Sequence, residues 1–175
     1  PRTISLYEKR GNALILPFGT LRRFCEFAPI GAEYTPDFAT LRRIDFGGKD
    51  VPLYPYQEKA VESVYKGKYG ILQSPAGSGK TQMGIALIKK FGVRALWLTH
   101  TLDLLAQSKR RAEMFIDPDL IGTITEGKVN IGDGVTFATI QTMCKLDLGQ
   151  YKNLWDVVIV DAVSYTHLTL PTIRL

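Results

Sequence analysis

The 175-residue sequence predicts an α/β fold, a parallel sheet with helices on both faces, joined to a small α+β amino-terminal unit. Three observations carry that expectation. Five short runs, at 70–73, 95–99, 121–125, 135–139 and 157–161, read as strands separated by helical stretches or short connectors. The last of them, Val157-Val158-Ile159-Val160 before Asp161, is apolar at every position, as a central strand buried on both faces should be. Between the first run and a helical stretch from Gln82 lies Ser74-Pro75-Ala76-Gly77-Ser78-Gly79-Lys80-Thr81, a glycine-rich loop ending in Lys-Thr.

Composition frames the rest. A chain with 45% hydrophobic residues buries a proper core, and one domain with a small appendage is expected. The 22 Lys+Arg against 17 Asp+Glu leave a net charge of +5, which suits a polyanionic partner without requiring one. Cys25 and Cys144 share no metal-type spacing with His100 or His167, so the expectation is buried thiols in a reducing, cytoplasmic compartment and no zinc site. No apolar run reaches membrane-spanning length and Pro1-Arg2-Thr3 lacks the core of a signal peptide, so no membrane partner is expected. The first residue is not Met, and an internal fragment is the expectation.

Residues 1–50 read as the small unit, with strands at Ala13–Leu16 and Thr40–Phe46, a short helix at Leu21–Phe27, and Gly47-Gly48 as its punctuation. Arg22-Arg23 and Arg42-Arg43, near Phe24, Phe27 and Phe46, fit a basic aromatic surface for nucleic acid equally with solvated faces around a small core. Next, Leu53-Tyr54-Pro55-Tyr56-Gln57 opens a helix through Tyr65. The Gln57 amide can pair with the acceptor and donor edges of adenine while a nearby ring stacks on the base. By itself a Gln at a helix start is commonplace; its place shortly upstream of the loop gives it weight.

In the loop, Pro75, Ala76, Gly77, Ser78 and Gly79 wrap a phosphate with backbone, Gly77 and Gly79 supplying the conformational freedom. Lys80 meets the β- and γ-phosphates, and the Thr81 hydroxyl holds Mg²⁺. The usual pattern opens with Gly, where this chain has Ser74. Further on, ligands of open α/β sheets bind beyond the carboxyl ends of the strands, which places Thr99 and Thr101 to meet the phosphates of a bound nucleic-acid strand, with Gln107 one helix face on. Lys109-Arg110-Arg111 fits a solvated helix end favoured by the macrodipole at least as well as a contact. Thr139 and Gln141 are the corresponding candidates after the next strand, although an ordinary strand end explains them better. Asp161 ends the last strand, the arrangement in which a carboxylate holds Mg²⁺ opposite the loop Thr.

In combination, Tyr-Gln before the loop, Pro-Ala-Gly-Ser-Gly-Lys-Thr, Leu-Thr-His-Thr with its downstream Gln, Ala-Thr-Ile-Gln-Thr and Val-Ile-Val-Asp resemble the first RecA-like domain of superfamily 2 helicases. The likeness is to the DExH branch, with its restriction-enzyme translocating subunits and excision-repair helicases, and it covers residues 51–161. The resemblance implies a RecA-like P-loop hydrolase of the DEAD/DEAH-box kind, ATP and Mg²⁺ as cofactors, and ATP-driven movement on DNA, with RNA open. It implies that Lys80 and Asp161 are catalytic and that residues 1–50 form an accessory domain. It also implies a cleft shared with a second RecA-like domain, absent from this chain, that supplies an arginine finger. Without that finger, which is worth about three to five powers of ten in rate, the chain alone is expected to hydrolyse little ATP. Two other classes stay open. One is a P-loop ATPase acting on proteins or small molecules, and the other a catalytically silent, nucleotide-gated binding module.

The family pattern continues after Asp161 with Glu, which orients the water attacking the γ-phosphate, whereas this chain has Ala162-Val163-Ser164. Val163 to Thr172 matches the translation of a sequencing adapter, a transposase mosaic end followed by a read primer. The expectation is that the gene encodes Glu directly after Asp161 and that 162–175 are adapter-encoded. On that reading Ser164 and His167 take no catalytic role.

Overall fold

A computed structural model describes residues 8–11, 13–15, 43–68, 70–151 and 154–161. Its contacts divide the chain into two units, 1–39 and 40–175. In the first, strand β1 (Glu8–Arg10) pairs antiparallel with β2 (Ala13–Ile15) across a turn in which Gly11 takes a positive φ of 58°. The helix expected at Leu21–Phe27, the pair Arg22-Arg23 and Arg42 lie outside the described residues.

The second unit runs α1 (Pro55–Gly67), α2 (Lys80–Phe91), β3 (Ala95–Thr99), α3 (Leu102–Ala112), β4 (Ile121–Thr125), β5 (Lys128–Asn130), β6 (Val135–Thr139), α4 (Ile140–Lys145) and β7 (Val157–Asp161). Pro55 opens α1 where its missing N–H costs nothing, and Gly92 closes α2 in the left-handed conformation at φ 60°. The sheet order is β5-β4-β6-β3-β7. Every pairing is parallel except the β4–β5 hairpin, whose short second strand the sequence reading missed. Thr99 lies level with Thr139 on one side and Asp161 on the other, so three strands end along one edge.

Strand side chains alternate between two cores, as the period of two requires. Ala95 and Trp97 of β3 with Val135 and Phe137 of β6 pack beneath Ile85 and Ile88 of α2 and Leu105 and Ala112 of α3. Leu96 and Ala138 point the other way, onto Met143 of α4 and Ile124 of β4. Residues 43–50, in irregular backbone, are fastened to this unit: the Ile44 N–H donates to the Gly92 carbonyl at 2.9 Å, and Phe46 is buried in the first core.

Three strand expectations need correction. Residues 43–46 of the run expected at Thr40–Phe46 form no strand, because their backbone bonds go to the α2–β3 turn and to Asp117 instead of to a ladder. Residues 70–73 also lack strand structure, and Ile71 is 98% exposed. Finally, β7 is an edge strand instead of a central one. Among the described residues it pairs only with β3, and Val158 and Val160 are 56% and 55% exposed because no described element covers that side of it. Among the described residues no helix is long and apolar enough to cross a membrane.

Candidate nucleotide-binding site

The loop between Ser74 and Lys80 is shaped by two left-handed glycines, Gly77 at φ 76° and Gly79 at φ 80°. Gly79 caps α2, so the backbone turns from loop to helix with its amides aimed outward, the geometry that attracts phosphate. Within the loop, the Ser78 hydroxyl donates to the Pro75 carbonyl at 2.8 Å and also meets the Ser74 hydroxyl. The Ser that replaces the usual opening Gly therefore fastens the loop through its side chain. Lys80 bends back, its Nζ donating to the carbonyls of Ser74 and Pro75 at 3.0 and 2.8 Å. Its ammonium is held at the mouth of the loop.

Gln57 enters from α1. Its Oε1 accepts from the Tyr54 N–H at 2.8 Å and its Nε2 donates to the Ser78 carbonyl at 2.8 Å, so one amide ties the start of α1 to the loop. The Tyr56 hydroxyl donates to the same carbonyl at 3.2 Å, a support the sequence reading did not identify. One N–H and one lone pair of the Gln57 amide remain, although the residue is buried. Tyr54 and Tyr56, both exposed, stack with centroids 6.0 Å apart. A Cβ on Gly79 would meet Gln57 Nε2 at 2.5 Å and would sit on a left-handed backbone. Gly79→Ala is therefore expected to cost about 1–2 kcal/mol of stability from backbone strain and to displace the Gln57 clamp, read as a lower melting temperature together with weaker nucleotide binding.

Across the loop, β7 delivers Asp161. Its Oδ2 accepts from the Thr81 hydroxyl at 3.4 Å and from the Ser108 hydroxyl of α3 at 3.3 Å. Thr81 comes from the first turn of α2, and Thr99 of β3 stands level with Asp161. A cleft of about 510 Å³ opens here, with Lys80, Thr81 and Asp161 on one side and Gln107, Ser108 and Arg111 of α3 on the other. Two hard oxygen donors facing a phosphate loop suit Mg²⁺, which takes few protein ligands and fills its shell with phosphate oxygens and water. Among the described residues no cluster of three His, Cys, Asp or Glu could hold a metal unaided.

Burial pushes the Asp161 carboxyl up from its ordinary value, against the opposing pull of the Ser108 and Thr81 hydroxyls and of Lys80. A carboxyl raised on folding contributes most below its unfolded pKa, and that contribution is lost as pH rises through the folded value. Asp161→Asn is therefore expected to melt higher than the wild type at neutral pH, with the gap closing on acidification, while binding Mg²⁺-nucleotide worse. Thermal melts across the acid-to-neutral range, paired with nucleotide titrations, check both halves.

The expected nucleic-acid residues divide by exposure. Thr99 is fully buried, its hydroxyl donating to the Thr101 carbonyl at 3.1 Å, and Thr139 is 3% exposed, with its hydroxyl accepting from the Thr142 N–H. Both hydroxyls are used within the strand-end turns. Thr101 caps α3 by accepting from the Leu104 N–H at 3.3 Å, and it is exposed together with Gln141. Gln107 lies on the wall of the phosphate cleft.

Residues 50–163 match the family described as type III restriction enzyme, res subunit. The chain belongs to that family. Its res-subunit region is a superfamily 2 helicase RecA-like domain, and relatives and solved structures agree on this. The DNA 3'-5' translocase XPB2 of Sulfurisphaera tokodaii is 36% identical over 74 residues, 41% of this chain and 17% of that protein. The DNA 3'-5' helicase XPB of Mycobacterium tuberculosis is 30% identical over 132 residues, 70% of this chain and 24% of that protein. This chain thus spans no more than about a quarter of the length of either. The crystal structure of the UvsW helicase from bacteriophage T4 matches in fold, with a TM-score of 0.61 at 19% identity over 90% of this chain and 64% of that one.

Proposed function

We propose that this res-subunit domain binds ATP with Mg²⁺ and forms the nucleotide-binding half of an ATP-dependent helicase or translocase acting on DNA. The observation that carries this reading is the meeting of the Thr81 and Asp161 side chains, 80 residues apart in sequence, beside a phosphate loop whose lysine is in place. Bound Mg²⁺ would supply charge neutralisation between the phosphate oxygens. Thr81 and Asp161 would hold it, Lys80 would balance the charge on the transferring phosphoryl group, and Gln57 would offer its remaining N–H and lone pair to adenine. The Sulfurisphaera and Mycobacterium relatives are named for DNA and a mimivirus relative for RNA, and DNA is the substrate proposed.

At the strand ends, Thr101 and Gln141 would touch the nucleic-acid backbone, while the buried Thr99 and Thr139 would shape the turns that present them. The first unit, residues 1–39, would serve as an accessory domain, shorter than the expected 1–50 because residues 43–50 belong to the second unit, and a second RecA-like domain would close the cleft and bring an arginine finger. The test is the affinity of a fluorescent ATP analogue with and without single-stranded DNA, at two salt concentrations. Tighter nucleotide binding with DNA, fading as salt rises, supports the reading. Unchanged affinity would favour a P-loop ATPase with another substrate.

Position 162 favours a second reading. Ala stands where the resemblance calls for the water-activating Glu, which would make the domain a nucleotide-gated binding module without turnover. We hold that residues 162–175 are adapter-encoded and that the gene continues with Glu. A long sequencing read across codons 160–175 decides this: a Glu codon supports the hydrolase, and a persisting Ala-Val-Ser supports the silent module.

A further inference from the structure

We infer that Ser108 is a positioning residue for the Mg²⁺-binding carboxylate, an inference that rests on the nucleotide reading above. Helix α3 turns a buried stripe toward the sheet at Leu105, Ser108 and Ala112, spaced three and four residues apart as one helix face demands. Its neighbours on the stripe are apolar, and Ser108 is only 2% exposed. Packing at that position needs nothing more than an Ala, which has the higher helix propensity. A hydroxyl buried there is satisfied only if it finds a partner, and its partner is Asp161 Oδ2 at 3.3 Å.

That oxygen also takes the Thr81 hydroxyl at 3.4 Å. The two donors play different parts. Thr81 belongs to the phosphate loop's helix, and its oxygen would be one of those that hold the ion. Ser108 stands on a separate helix, fixed at its start by the Thr101 cap. It would stay with the carboxylate and hold Oδ2, the oxygen that also meets Thr81, in place beside the loop's helix. Among the described residues β7 pairs on one side only, with β3, and α3 adds a side-chain restraint on the Asp161 carboxylate that this pairing does not provide.

The experiment measures fluorescent ADP binding by wild type, Ser108→Ala and Ser108→Thr, each with Mg²⁺ and with EDTA, and records the Mg²⁺ concentration giving half the enhancement. Ser108→Ala is expected to keep its metal-free ADP affinity within about twofold and to need about tenfold more Mg²⁺, the effect of losing one hydrogen bond to a charged group. Ser108→Thr keeps the hydroxyl and should recover most of that Mg²⁺ dependence. Thermal melts confirm that each variant folds. An Ala variant with wild-type Mg²⁺ dependence, or one that weakens metal-free and metal-dependent binding equally, would overturn the inference while leaving the nucleotide reading intact. A wild type whose ADP binding ignores Mg²⁺ would overturn both.

Discussion

Lys80→Ala is expected to weaken nucleotide binding about a hundredfold while leaving the fold in place. The lysine sits at the loop mouth, where its hydrogen-bond partners among the described residues are the Ser74 and Pro75 carbonyls. Water can replace it at those carbonyls, which lie in or beside an open cleft, so unfolding should be little affected. With a di- or triphosphate present, the ammonium instead makes two charge-assisted bonds to phosphate oxygens, each worth about 1.5–3 kcal/mol. Losing them, partly offset by water, corresponds to about 3 kcal/mol and hence about two powers of ten. Titration of fluorescent ADP beside a thermal melt separates the two quantities. A variant that binds within a few fold of wild type would mean that this loop is not the phosphate site.

The largest stability effect is expected at Trp97→Ala, about 3–5 kcal/mol, or a melting temperature lower by roughly 10–20 °C. Trp97 is 1% exposed at the centre of the sheet, tilted against Phe137 at a centroid distance of 5.7 Å. Its ring also fills the space above Gly84 of α2, where an added Cβ would lie 2.5 Å from Trp97 Cη2. The helix carrying the phosphate loop is therefore seated on this ring through a residue without a side chain. Gly84→Ala alone should cost about 1–3 kcal/mol by overpacking. Combined with Trp97→Phe, whose smaller ring makes room, it should cost less than the sum of the two single changes. The Trp97 indole N–H is buried without a partner among the described residues, so Phe forfeits no hydrogen bond there. Guanidinium melts of the four proteins test the pairing.

How much of this was legible in the sequence follows from where the information lies. That the glycine-rich loop opens a helix and that Asp161 ends a strand was legible from local residue types and spacings, and the fold brings Thr81 and Asp161 together beside that loop. Strands β3, β4, β6 and β7 were readable because each is a compact run of β-branched and apolar residues. The misplaced items depend on pairing, which one run cannot reveal. Ile71 and Leu72 have strand-like composition but no ladder, and the all-apolar Val157–Val160 stretch carries the signature of a central strand while lying at an edge. Thr99 and Thr139 look the same as exposed hydroxyls in a string, and only the fold shows that their own turns consume them. Ser108 did leave a trace, a polar residue within the buried face of an amphipathic helix, but its meaning depended on knowing what stood across from it.

The central claim, that the glycine-rich loop and Asp161 together form a Mg²⁺-nucleotide site, is tested most directly by calorimetric titration of ADP into the wild-type chain with Mg²⁺ and again with EDTA. The account predicts saturable one-to-one binding that tightens when Mg²⁺ is present. Binding that is absent, or the same with metal and with chelator, would contradict it.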